Sequence, residues 1–101
     1  MLSANLLKDL GDLQVTMYDF EKAGDILPMH VHDENTNHIT IVARGKLRAH
    51  GDGWEQTANT GQMLDFPVGA PHELTALEDD TRIYNVVKKF GGTSNDYQRT
   101  P

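Results

Sequence analysis

Turn-forming residues interrupt this chain every eight to twelve residues or so from Leu13 onward, a rhythm that admits short strands and little else. Leu13–Phe20 (LQVTMYDF) is rich in strand formers and stops at the turn Glu21-Lys22-Ala23-Gly24-Asp25. Residues 26–32 follow, then the polar stretch 33–37, and residues 38–43 (HITIVA) form the most strand-like run. Gly45 punctuates it, residues 46–50 resume it, and Gly51-Asp52-Gly53 reads as a hairpin turn. Residues 54–57 and 62–66 are further strands on either side of Ala58-Asn59-Thr60-Gly61. Pro67-Val68-Gly69-Ala70-Pro71 is excluded from a central strand, since two prolines withdraw ladder donors. Residues 72–77 and Thr81–Lys89 close the pattern around Glu78-Asp79-Asp80. Leu2, Leu6, Leu7 and Leu10 fit either a short helix or an extended arm. The expectation is an all-β fold of about eight strands closed as a jelly-roll barrel. It has an arm or short helix over residues 1–12, the barrel over 13–90 and a polar tail over 91–101.

A chain of 101 residues holds one domain. Cysteine is absent, which excludes disulfides, thiolate zinc sites and cysteine nucleophiles. A cysteine-free small domain fits a reducing compartment. The first ten residues lack the basic start and long apolar run of a signal peptide, and no stretch has the length of a membrane span. The cytoplasm is the expected location, with no membrane partner. Net charge is −6, from 15 acidic and 9 basic residues, and Lys88-Lys89 is the one adjacent basic pair. Such a surface repels phosphate backbones, so nucleic acid is not an expected partner. The acidic excess serves solubility.

Histidine carries the chemistry. Three of the five histidines fall within nine residues, at His30, His32 and His38. Residues two apart on a strand face the same side, so His30 and His32 can aim two imidazoles at one point. A five-residue excursion then brings His38 to the start of the next strand. His72 stands just after Pro67-Val68-Gly69, where a fixed φ and a permissive glycine can re-aim the chain. Imidazoles converging in this way suit a divalent transition metal such as Fe, Mn, Ni, Zn or Cu. His30, His32, His38 and His72 are therefore the candidate ligands.

The spacing of Gly24, His30, His32, His38 and Gly45 resembles the first sequence signature of the cupins. That of Gly61, Pro67, Gly69 and His72 resembles their second. Together the two motifs span Gly24 to Ala76, about half the chain. The resemblance implies a cupin-type double-stranded β-helix with a metal in its lumen, a small-molecule substrate and a homodimer built through the sheets. Two departures bear on chemistry. His38 stands where the family usually has glutamate, as its six-residue distance to Gly45 indicates, and Ala76 stands where the family has asparagine. A glutamate ligand cancels one charge of a divalent ion, whereas four neutral imidazoles cancel none. The more electropositive centre favours an anionic, chelating ligand.

The resemblance implies a metal-dependent enzyme, and the histidine-rich ligand set points to dioxygenase-like oxidoreductase chemistry. Two alternatives stand beside it. One is a non-redox isomerase or lyase acting on a sugar acid, and the other is a module that binds a metal or small ligand without turnover. The fold is compatible with all three. If His38 points outward, water completes a three-histidine site; Glu34 can then swing in from the loop as a carboxylate ligand, with a solvated side chain as its ordinary reading. His50 matches neither motif and reads as surface. Arg44 is a rim arginine able to meet a substrate carboxylate. Strand alternation turns Thr40, Val42, Leu74 and Ala76 inward and Glu73 outward. Met17, Met29 and Met63 are read as packing residues. Tyr18, Phe20, Trp54, Phe66 and Tyr84 are read as filling the core or an interface, or walling the pocket.

Overall fold

A computed structural model describes residues 1–30, 36–66 and 70–89, with Met29 and His30 described by their backbone. Nine strands run through these residues, and no helix occurs among them. They are β1 Leu2–Asp9, β2 Leu13–Phe20, β3 Ile26–His30, β4 Thr36–Arg44, β5 Lys46–Gly51, β6 Trp54–Asn59, β7 Met63–Asp65, β8 His72–Ala76 and β9 Thr81–Lys89. The all-β jelly-roll expectation holds, with one strand more than the turn rhythm implied. The extra strand is β1. Its leucines lack a helical partner face, while an antiparallel ladder with β2, interrupted by one irregularity at Leu7, satisfies most of its backbone. The tail at 91–101, residues 31–35 and residues 67–69 lie outside the described residues, and Thr36 and Asn37, read as part of the polar excursion 33–37, belong to β4 instead.

The strands form two antiparallel sheets, one ordered β1-β2-β9-β4-β7 and the other β3-β8-β5-β6. Each sheet buries one face, so the buried positions alternate. In β4 these are Thr36, His38, Thr40 and Val42; in β8 His72, Leu74 and Ala76; in β9 Thr81, Ile83 and Asn85. The core lies between the sheets. Phe20, Val42, Leu64 and Ile83 come from the larger sheet, and Leu47, Ala49, Ala58, Leu74 and Ala76 from the smaller. Leu2, Tyr18, Leu27, Trp54 and Phe66 pack around this cluster.

Register turns the lumen into a stack of layers. Phe20 pairs with Thr81 at the closed end, and Tyr18 and Val42 flank Ile83 in the next layer. Thr16 and Thr40 flank Asn85 above that, Gln14 and His38 flank Val87 in the layer after it, and Thr36 pairs with Lys89 beyond. The interior thus changes from apolar to polar along its axis. At the apolar end Gly45 has a φ of 87°, and a Cβ there would stand 2.9 Å from the Thr81 Cα, so the turn between β4 and β5 requires glycine.

The outer face of the larger sheet is apolar. Val15, Val86 and Ile39 form one row, which ends on Asp65, and Met17, Tyr84, Ile41 and Met63 form the next. Ile39 is 41% exposed and Met63 66% exposed. Met63 therefore does not pack within the subunit as the sequence suggested, because β7 is an edge strand that turns Leu64 inward and Met63 out. The row closes at one end on Asp19 and Arg82, whose guanidinium reaches the carboxylate at 2.7 and 3.1 Å. That bidentate contact holds the Asp19 carboxyl below the usual carboxylate range.

Candidate functional site

His38 and His72 reach the lumen from opposite sheets. His38 occupies an inward position of β4 one layer short of Thr36, opposite Val87 of β9, and His72 is the first residue of β8. Both are buried, at 7% and 1% exposure. Their ring centres stand 5.3 Å apart. His30 is the backbone partner of His72 across the β3–β8 ladder. The His30 side chain, His32 and Glu34 lie outside the described residues. Among the described residues, no group of three His, Asp or Glu side chains surrounds one point.

Aromatic rings cover the pair. Phe66 stacks on His72 at 4.3 Å between ring centres with planes 7° apart, and it sits 4.9 Å from His38. Trp54 backs Phe66 at 5.9 Å. A glycine makes this possible, because a Cβ on Gly51 would run into the Trp54 indole and stand 2.6 Å from the Pro71 carbonyl oxygen. Gly51 pairs with Trp54 across the hairpin, so the indole lies over its own turn and leans toward Phe66. Phe66 and Trp54 thus cover the imidazole pair and pack against the core, which is one of the roles read for them from sequence.

Hydrogen bonds set the proton on each imidazole. His72 Nδ1 lies 3.1 Å from the Ala70 carbonyl oxygen, which only accepts. Nδ1 is therefore the N–H of the neutral ring, and Nε2 carries the lone pair. For His38 the logic runs through Thr40. The Thr40 hydroxyl donates its one proton to Asn85 Oδ1 at 2.7 Å. Its 3.2 Å contact with His38 Nε2 then makes the hydroxyl oxygen the acceptor and Nε2–H the donor. His38 carries its lone pair on Nδ1.

This donor pair fits a transition-metal ion. With metal–nitrogen bonds of about 2.0–2.1 Å, two imidazoles on one ion place their ring centres roughly 4.5–5.2 Å apart. The observed separation is close to that. A ligating histidine usually donates its other ring N–H to a carbonyl or similar acceptor, as His72 does to Ala70.

The remaining candidates fall elsewhere. Arg44 lies on the rim near Asp80, donating to the Asp80 carbonyl at 2.8 Å and to its carboxylate at 3.1 Å. Its partners are thus acids of the chain itself. Glu73 faces outward as alternation predicts, and it meets His50 across the β5–β8 ladder at 2.8 Å. His50, read as surface, is half-buried on that outer face. Asn85 was missed altogether. Its signal was present in the alternation of β9, which turns an amide inward between Ile83 and Val87.

Residues 16–87 match the model of the Cupin_2 family, described as a cupin domain. No curated protein matches the sequence significantly. Solved structures resemble the fold closely. KdgF from Halomonas sp. has a TM-score of 0.77 at 20% identity, covering 88% of this chain and 79% of that one. An RmlC-like cupin protein from Desulfovibrio desulfuricans has a TM-score of 0.76 at 25% identity, covering 86% and 81%. The Cupin_2 domain of an XRE family transcriptional regulator from Enterobacter cloacae has a TM-score of 0.78 at 14% identity, covering 88% and 97%.

Proposed function

The chain belongs to the cupin family, and from that premise we propose that it is a metal-dependent enzyme acting on a small anionic or chelating molecule, with dioxygenase-like oxidoreductase chemistry. The observation that carries the reading is the buried pair His38 and His72, brought together from opposite sheets under Phe66. His30, the backbone partner of His72, and His32 complete the proposed ligand set with them. When bound, a divalent transition metal in this set supplies Lewis-acid polarisation of a chelating oxygen and, if redox-active, electron transfer to dioxygen. The chain's own residues supply the rest. Phe66 and Trp54 exclude water from one side of the imidazoles, which strengthens electrostatic interactions there. Thr16, Thr40 and Asn85 give the lumen a polar wall below.

The test is elemental analysis of unsupplemented protein, followed by oxygen uptake with a diketone or catechol-like compound. A redox-active metal with substrate-dependent uptake supports the reading. Zinc, nickel or manganese with turnover of an unsaturated sugar acid and no oxygen use replaces it with the non-redox isomerase or lyase. Stoichiometric metal without turnover of either class replaces it with a binding module. The cysteine-free chain suits a reducing compartment such as the cytoplasm.

The same reading includes a homodimer formed through the outer face of the larger sheet, supported by the two apolar rows that meet there in register. Ile39 is central to this face and already 41% exposed, so the isolated subunit accommodates a charge at that position. Ile39→Lys is expected to convert a dimer to a monomer in sedimentation velocity, with the far-ultraviolet spectrum unchanged. A wild-type chain that sediments as a monomer at all concentrations, or a variant that stays dimeric, sinks this interface.

A further inference from the structure

A buried asparagine in mid-strand, bonded to a buried threonine, is an odd choice for a small barrel core. Thr40 is fully buried and Asn85 is 5% exposed, and each is the other's cross-strand partner in β4 and β9. An apolar pair of the same size would fill this layer at lower desolvation cost. The polar pair has a use one layer up. From Asn85 the bonds run to Thr40 at 2.7 Å and from Thr40 to His38 at 3.2 Å.

We propose that Asn85 and Thr40 are positioning residues that fix the His38 tautomer, so that His38 offers Nδ1, and not Nε2, to whatever the lumen binds. A hydroxyl holds one proton and accepts at its lone pairs. While Asn85 Oδ1 takes that proton, the hydroxyl meets His38 as an acceptor and keeps the ring proton on Nε2. Without the Asn85 acceptor, the hydroxyl turns its proton toward Nε2, and the ring proton moves to Nδ1. One amide, two bonds from the imidazole, thereby selects the donor nitrogen. The position of this pair also explains why a histidine can serve at 38. A carboxylate ligand has no tautomer to set, whereas an imidazole presents the correct nitrogen only when its other nitrogen is held. The inference rests on the reading of His38 as a site imidazole.

The test is long-range ¹H–¹⁵N correlation spectroscopy of metal-free, ¹⁵N-labelled full-length protein, which reads the tautomer of each histidine. Wild type is expected to show His38 as the Nε2–H form. Asn85→Asp keeps an acceptor and the same tautomer, whereas Asn85→Leu shifts His38 toward Nδ1–H. Thr40→Val removes the link and gives a mixture, and Thr40→Ser restores the wild-type pattern. Thr40→Val is nearly isosteric, so it reads the proposal even if Asn85→Leu does not fold. A wild-type Nδ1–H form, or a His38 pattern indifferent to Thr40→Val, overturns the proposal. Zinc titration supplies the second arm. Thr40→Val is expected to weaken zinc binding by about 10- to 100-fold while Thr40→Ser restores it, as for other outer-shell partners. A shifted tautomer with unchanged zinc affinity overturns the link between tautomer and ligand. If wild type takes up no zinc while the tautomers respond as described, the metal reading fails and the positioning role stands. If zinc binds and the tautomers do not respond, the reverse holds.

Discussion

His72→Ala is expected to abolish metal uptake and with it the thermal stabilisation that metal gives the wild type. At free metal about a hundred times its dissociation constant, a site present only in the folded state adds about 2.7 kcal/mol. For a domain of this size each kcal/mol is worth roughly 4–8 °C in Tm, so the metal-dependent rise should be on the order of 10–20 °C. His72 is the residue to remove because it is nearly fully buried, stacked on Phe66 and held through Nδ1 by Ala70. Differential scanning calorimetry with and without added metal reads the effect, and the metal-dependent shift of each protein, taken against its own metal-free form, separates loss of the site from the cost of deleting a buried ring. Retention of the full metal-dependent shift in the variant would falsify the four-histidine site. His30→Ala provides the matching measurement from the opposite strand.

The second large effect is structural. Phe20→Ala should cost about 3–5 kcal/mol, the range for deleting a buried aromatic side chain. Phe20 has no exposed surface and lies at the closed end of the lumen, paired with Thr81 and packed with core residues of both sheets. Rigid strands surround the vacated volume, so the barrel cannot collapse into it cheaply. Against a total stability of about 5–15 kcal/mol the loss is a large fraction of the whole. Urea denaturation should show the midpoint falling with little change in slope. A loss under about 1 kcal/mol would mean that the closed end repacks, contrary to the layered interior described above.

Strand chemistry was legible where residue type and alternation agree. Leu13–Phe20 and Thr81–Lys89 coincide with β2 and β9, and the inward turn of Thr40, Val42, Leu74 and Ala76 follows from counting by two. The first strand was not legible, because its leucines satisfy a helical and an extended reading equally and the decision comes from a ladder with β2. Proximity of His38 and His72 was readable as motif spacing, but the covering Phe66 depends on how β7 and β8 approach each other. Asn85 and His50 illustrate the remaining gap. Each acquires its role from a cross-strand partner, Thr40 for one and Glu73 for the other, and single-strand patterns do not carry pairing. Met63 was misread for a similar reason, since an exposed apolar residue on an edge strand looks like a core residue until the edge is known.

Strand order also dictates when this molecule can become a barrel during its synthesis. β9, last of the nine to be made, is the middle member of its sheet, and β8, the one before it, lies inside the other. Until both have left the ribosome, β2 and β4 have no shared neighbour, and β3 and β5 have none either. The nascent chain therefore carries Ile39, Ile41 and Val42 on a strand whose one partner is the short β7, with the edge that β9 will cover still open, the kind of edge that recruits other chains. The pairings of β9 with β2 and β4 and of β8 with β3 and β5 are then made last, and their long sequence separation places folding among the slow, topology-limited reactions. Expression yield is accordingly expected to depend on how quickly β8 and β9 follow the first seven strands.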